Sequence, residues 1–378
     1  MIIHDFKLST MRSFSYQWRE LSLTESYKLR ALAILMIIMH NFLHLVLDTP
    51  GENEFSYSTE KYRAFVNGLW NTPVDFIRIT FSYLGHYGVQ VFFFLSGYGA
   101  LLKLSKGKPS WFPYVKRRTL ALYPAILIAA IGFLIYEGTR LGISEVLAQN
   151  GINLVRQILG ISNFIPDNVY HPIGPWWFIG VIVQFYLIAP LLFKIPQIHG
   201  SKRPLILSGI ALASLIAEYL FANSFRQTFD CNFNHTTLGH LDICALGMLA
   251  AHYKKFTIPL WALILALLLF SVGNWYETMW ISAGFWMTVM LLPTLRFLAH
   301  QLSKINFLNS ALLAIGHLSM FIFLSNGYLR QPLMSLAQEN PIWWKSLLYC
   351  GAFIILVITW STILYWIHRK LQNSSTHS

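Results

Sequence analysis

His40 is the residue whose type and surroundings point most directly to chemistry. It ends an apolar run, Ala31 to Met39, and is followed by Asn41 and His44. A titratable ring in a membrane-crossing stretch is costly, so it usually faces a cavity and does work there. An imidazole exchanges its proton near neutral pH, as a general base must. Arg30 precedes it by ten residues, or about 15 Å of helix axis. That spacing predicts Arg30 near the inner mouth of a spanning helix and His40 near the bilayer midplane. His40 and His44 are four apart and share a helix face. Asn41 is placed to hold an imidazole tautomer, and His44 with Asp48 makes a His-x-x-x-Asp spacing at the outer interface. The plainer reading of His40 is a packing histidine with satisfied hydrogen bonds.

Other polar residues sit in apolar surroundings. Gln90 and Ser96 lie in the stretch Gly88 to Tyr98, and each needs a partner in lipid. Ser96 and Gly97 are small enough to let helices approach closely. The run Lys116-Arg117-Arg118 ends in Tyr123-Pro124. Arg117 and Arg118 would suit a phosphate or nucleotide clamp, since guanidinium groups match phosphate geometry; the plainer reading is a positive membrane anchor. Trp177 and Gln184 share a further aromatic helix, Pro175 to Pro190. Asp242, His317, Ser319, Ser325 and Asn326 complete the polar set. The three cysteines, Cys231, Cys244 and Cys350, have no metal-ligand spacing and no disulfide pattern, so they read as packing residues. No metal site is expected.

These residues must be positioned by helices in a membrane. The 378 residues are 55% hydrophobic and 12% charged, against about 25% charged in a soluble domain. Apolar runs recur at the length that crosses a hydrocarbon layer about 30 Å thick. The pattern predicts an all-α integral membrane bundle of about ten transmembrane helices. They are read as Lys28–Leu47, Gly85–Leu104, Leu120–Tyr136, Pro175–Phe193 and Leu205–Asn223, then Leu238–Tyr253, Ile258–Trp275, Trp280–Leu298, Ala311–Leu329 and Trp344–His368. With the N-terminus inside, 20 of the 28 basic residues fall on inner segments, and of 16 acids only Asp5, Glu20 and Glu25 do. Positive residues stay on the cytoplasmic side, so both termini are expected there. The net charge of +12 is thus sorted onto alternate loops rather than gathered in one patch, which argues against nucleic acid. Met1 to Ser26 lacks the apolar core of a cleavable signal peptide. No repeat is visible, so one domain is read: a cytoplasmic segment over 1–27, the bundle over 28–368 and a tail over 369–378. Two outer loops are long, Thr49 to Leu84 and Glu137 to Gly174. The second holds an amphipathic piece, Ile143 to Leu159, suited to a membrane surface.

Taken together, these blocks resemble the acyltransferase-3 family of bacterial membrane O-acyltransferases. The resemblance rests on Arg30 with His40, on Gly88-Val-x-x-Phe-Phe-x-Leu-Ser96-Gly97, on Arg117 to Tyr123-Pro124, and on Trp177-Phe through Gln184-Phe-Tyr-Leu to Pro190. The Gly247 region after Asp242 and Ile315-Gly-His-Leu-Ser319 add weaker blocks. The spacing of His44 and Asp48 is also like that of soluble acyltransferases. Three positions depart from the family pattern. Arg30 and His40 are ten apart, not eleven, which puts Asn41 at the usual place; Ala121 replaces a further Arg; and Ile182 and Val183 stand where an acid is common. What the resemblance implies is transfer of an acyl group, commonly acetyl, from cytoplasmic acyl-CoA to a hydroxyl of an envelope or exported glycan. His40 would be the base, with Arg30 and Asn41 as the other catalytic residues. Arg117, Arg118, Gln90, Ser96, Gln184, Trp177 and His44 would bind substrates. The implied place is the bacterial cytoplasmic membrane, with acyl-CoA, the hydroxyl acceptor and the bilayer as partners and no bound cofactor. A flippase or transporter of a lipid-linked sugar would also show polar midplane residues, but no pair of related halves is visible. A non-catalytic scaffold need not bear the cost of buried polar groups.

Overall fold

Ser22 decides where the first long helix begins. Its hydroxyl accepts from Glu25 N at 3.1 Å, and the Glu25 carboxylate accepts from Ser22 N at 2.9 Å. This capping box satisfies two otherwise orphaned donors, so the helix runs Leu23–Leu43 rather than Lys28–Leu47. The structure is a computed structural model that describes residues 15–46, 53–107, 110–165, 168–198, 200–339 and 341–375. Asp48, and with it the His44–Asp48 spacing, lies outside the described residues.

In chain order the elements are β1 (Ser15–Trp18), α1 (Leu23–Leu43), α2 (Thr59–Asn71), α3 (Phe76–Leu84), α4 (Gly88–Leu104), α5 (Trp111–Leu141) and α6 (Ile143–Ile158). They continue as α7 (Trp177–Ile198), α8 (Arg203–Phe229), α9 (Leu241–Tyr253), β2 (Phe256–Pro259), α10 (Leu260–Trp275) and α11 (Glu277–Trp280). The last four are α12 (Ala283–Leu302), α13 (Asn306–Leu329), α14 (Gln331–Glu339) and α15 (Trp343–Ser375). Each of the ten apolar stretches read from the sequence holds a helix. Seven spans among the described residues are long and apolar enough to cross a membrane: Leu23–Leu43, Pro73–Leu104, Trp111–Leu141, Gly174–Lys194, Gly200–Phe229, Asn306–Leu329 and Trp343–Ser374. At 13 residues α9 is too short for that length, and α10 is a shorter apolar helix. The fold is therefore an all-α membrane bundle. Its outer faces are apolar, as lipid requires: Leu127, Ile131 and Ile135 on α5 and Leu212, Ile216 and Leu220 on α8 are exposed at helical spacing.

Three expectations change. The basic run Lys116 to Arg118 lies on α5, not on a loop, because the helix starts at Trp111 and passes through Pro124. The stretch Thr49 to Leu84 is not a plain connector: it carries α2 and α3. Ser15–Trp18 forms a two-stranded antiparallel sheet with Phe256–Pro259, with Trp18 opposite Phe256. Trp18 stacks on Phe256 at 5.5 Å, and the Arg296 guanidinium lies 4.7 Å from the Trp18 ring. The amphipathic piece does form a helix, α6. Gln157 ties it down by donating from Nε2 to Ile173 O at 2.9 Å.

At the core α1 packs against α4 and α13, and α4 against α9. The three cysteines are buried and free. Cys231, between α8 and α9, donates from Sγ to Asn163 O at 2.8 Å, and burial pushes its thiol up to about 11. It is a packing residue that stays protonated at neutral pH.

One buried ion pair locks α3 to α15. Arg78 meets the Asp75 carboxylate through Nε and Nη2, the latter at 2.6 Å, and donates from Nη1 to Pro341 O at 2.7 Å and Ser346 Oγ at 3.1 Å. Removing one partner of a buried pair strands the other charge, which costs about 3–5 kcal/mol. Asp75→Ala is expected to lower the unfolding midpoint in detergent accordingly, and Asp75→Asn by less. An unchanged midpoint for the alanine variant would show that the pair is not a structural lock.

Candidate active site

His40 sits in the last turn of α1, three residues from its end, rather than at the middle of a span. The reason is that the helix ends at Leu43, four residues before the expected Leu47. The ring is 3% exposed. Its Nδ1 lies 2.9 Å from Ser82 O. A carbonyl oxygen only accepts, so Nδ1 carries the hydrogen and Nε2 carries the lone pair. Ser82 is in the last turn of α3, where carbonyls lack helical partners. The close approach depends on Gly85, since a Cβ there would come 2.6 Å from His40 Cβ. Ser82 thus sets the tautomer, not Asn41 as the spacing suggested. Asn41 instead donates from Nδ2 to Asn326 Oδ1 at 2.7 Å, and its carbonyl accepts from Arg330 Nη1 at 3.3 Å. His44 stacks on His40 with centroids 4.4 Å apart and donates from Nδ1 to His40 O at 2.6 Å. His86 completes the group, 5.3 Å from His40 between centroids.

Two chambers adjoin this group. A histidine chamber of about 280 Å³ is lined by His40, Asn41, His44, His86, Tyr170, Trp177 and Arg330, among others. An arginine chamber of about 290 Å³ is lined by Arg30, Ser96, Arg118, Tyr186, His317 and Ser319 on its polar side. Ile37, Val89 and Phe323 line both, so the chambers share an apolar collar of side chains. Ile37 is one turn before His40 on α1. Arg30 and His40 therefore serve different chambers, as residues ten apart point about 80° away from one another.

Among the described residues, the arginine chamber is lined by two guanidinium groups and no carboxylate. The Arg118 guanidinium packs 5.6 Å from the Tyr114 ring and 5.8 Å from the Tyr186 ring, and Arg30 lies 5.7 Å from Tyr27. His317 stacks on Tyr27 at 3.8 Å. Arg118 Nε is buried without a hydrogen-bond partner. Such a chamber is built for an anion.

Residues 29–366 match the acyltransferase domain that defines the acyltransferase-3 family. The chain belongs to that family. No curated protein and no solved structure matches it. Membership together with the apolar bundle makes the protein a multi-pass membrane acyltransferase.

The acyltransferase does not gather every residue singled out from sequence. His40, Asn41, His44 and Trp177 line the histidine chamber, and Arg30, Ser96 and Arg118 the arginine chamber. Arg117 is exposed and lines neither, because consecutive helical residues point 100° apart. Gln184 is a strut: its Oε1 accepts from Thr237 N at 3.0 Å, fastening α7 to the turn before α9. Gln90 lines a separate small cavity beside the histidine chamber. Sequence reasoning missed His86, Tyr186, Arg330 and the Ser82 carbonyl. His86 and Arg330 carried a weak signal, as each adjoins a block already of interest. A backbone acceptor carries none.

Proposed function

We propose that the acyltransferase moves an acetyl group from acetyl-CoA, bound from the cytoplasmic side, to a hydroxyl of an envelope or exported glycan on the far side of a bacterial cytoplasmic membrane. In this reading both termini are cytoplasmic and about ten helices span the bilayer. The observation that carries it is that the two chambers share the Ile37–Val89–Phe323 collar, one turn from a His40 whose Nε2 bears a lone pair. The donor's phosphates lie against Arg30 and Arg118, and its acyl end reaches the apolar collar. The acceptor hydroxyl lies in the histidine chamber at His40 Nε2.

His40 Nε2 takes the hydroxyl proton as the oxygen attacks the thioester carbonyl carbon. The new C–O bond forms, the C–S bond breaks, and the thiolate leaves with its electron pair. The thiolate then takes up a proton and the imidazolium gives one back, so the products are the ester and free CoA thiol. Arg30, about 15 Å of helix axis from His40, acts on the donor's phosphates rather than on the reacting carbonyl. Ser82 O stabilises the imidazolium formed at His40.

The reading is tested with purified protein, labelled acetyl-CoA and cell-envelope glycan, with mass spectrometry of the product. Arg118→Ala is expected to raise KM for acetyl-CoA about 10- to 100-fold, the worth of a lost charge-assisted bond, with kcat little changed. Arg118→Lys should recover part of that, since lysine keeps the charge but not the fork. An unchanged KM would remove Arg118 from the donor site. Acetylation absent in wild type would end the proposal.

A further inference from the structure

Beside the histidine chamber lies a third cavity, of about 50 Å³. It shares Glu54, Phe55, His86, Val89 and Trp177 with that chamber. Its size is room for roughly three or four waters, and so for one or two small polar groups of a ligand seated mainly next door. Three buried side-chain oxygens without a hydrogen-bond partner belong to residues that line it: Asn53 Oδ1, Gln90 Oε1 and Asp242 Oδ1. Asn53 and Asp242 are 2% and 4% exposed. The Asn53 amide is oriented by its own bonds, Nδ2 donating to Tyr83 Oη at 3.1 Å and to Asn274 Oδ1 at 3.2 Å.

Two of the three orphans, the amide oxygens of Asn53 and Gln90, can only accept, so what completes them must bring donors. Buried polar groups in folded proteins find partners. The hydroxyls of a ligand can supply those donors. The aromatic walls, Trp177 and Trp280, lie on the same cavity. Apolar planks with a few convergent acceptors fit a ring that has C–H faces and hydroxyl edges.

We propose that this side cavity is a specificity pocket for the acceptor. It takes a hydroxyl-bearing arm of a sugar ring whose reacting hydroxyl lies at His40. The assignment rests on the acyl-transfer reading and deepens it by naming the acceptor's chemistry. His86 stands at the junction of the two cavities, 5.3 Å from His40 between ring centroids, the span of a small ring.

The test uses the full chain in lipid nanodiscs with acetyl-CoA as donor. The acceptors are methyl glycosides of glucose, galactose and N-acetylglucosamine, set against ethanol. Two variants act on the pocket in different ways. Gln90→Leu removes an acceptor. Gly284→Val narrows the space, since a Cβ there points at the Gln90 amide from 3.4 Å. Thermal unfolding identifies which variants are folded. Wild type is expected to favour at least one glycoside over ethanol by about 100-fold or more in kcat/KM, as a site built for hydroxyls does. Each folded variant is expected to reduce that ratio about tenfold, mainly through the glycoside KM. A ratio that holds in both variants, or no preference in wild type, overturns the pocket. Transfer to no acceptor at all overturns the acyl-transfer reading first and the pocket with it.

Discussion

His40→Ala is expected to lower kcat for acyl transfer by about 10²- to 10⁴-fold, the range a positioned general base supplies. The effect should fall on kcat and kcat/KM alike, because proton removal occurs only on the way to the transition state. KM for acetyl-CoA should stay near its wild-type value, since Arg30 and Arg118 sit in the other chamber. The ring also packs, stacking on His44 and donating to Ser82 O, so some stability will be lost with it. Two controls separate the roles. His40→Asn keeps a donor for Ser82 O but has no proton-accepting nitrogen, so it should be as inactive as alanine with less loss of stability. Added imidazole should restore part of the activity of His40→Ala if a proton acceptor is what is missing. An alanine variant that is folded and fully active would reject the base.

The second large effect is structural. Gly97→Val is expected to abolish the folded protein. A Cβ at Gly97 would overlap the Cys244 carbonyl, and one at Gly247 would overlap the Phe94 carbonyl from the opposite side. The α4–α9 contact is thus backbone against backbone, with no flexible side chain to give way. Overpacking a core costs about 1–3 kcal/mol where side chains can shift, and here they cannot. Helix association in lipid depends on such small residues. Gly99 is the control: a Cβ there meets nothing within 4 Å. Gly99→Ala should leave the unfolding midpoint unchanged or raise it slightly, since alanine is the better helix former by about 1 kcal/mol. The check is monodisperse yield and thermal unfolding in detergent. A stable Gly97→Val protein would contradict the close packing.

Sequence and structure agree most where one physical rule dominates. Hydropathy alone located a helix at each apolar stretch, because an unsatisfied backbone is intolerable in lipid. It failed at ends, where side-chain chemistry decides. The Ser22–Glu25 box was legible and starts α1 at Leu23, five residues before the Lys28 start read from hydropathy. At the other end α1 stops at Leu43 rather than Leu47, which puts His40 in the last turn instead of mid-helix. The β1–β2 pairing joins residues some 240 positions apart, and nothing local in either strand announces the other.

The candidate site was legible in its residue types and less so in their arrangement. His40, Arg30 and Arg118 stood out as costly groups in apolar surroundings. Which of them share a cavity depends on helix rotation, which sequence spacing resolves only within one helix. Arg117 and Arg118 were indistinguishable by type, yet one is exposed and the other lines a chamber. Gln184 looked like a ligand-facing amide because its partner, Thr237 N, is a backbone group on a distant turn.

Acyl transfer by this route requires donor and base to come together at the collar between the two chambers. The most direct test is a cryo-EM structure of the protein with a non-transferable thioether analogue of acetyl-CoA. Phosphate density is expected against Arg30 and Arg118, and the analogue's acyl carbon at the Ile37–Val89–Phe323 collar, leaving room for a hydroxyl about 3 Å from both it and His40 Nε2. Density for the analogue outside the arginine chamber, or an acyl end turned away from His40, would contradict that route.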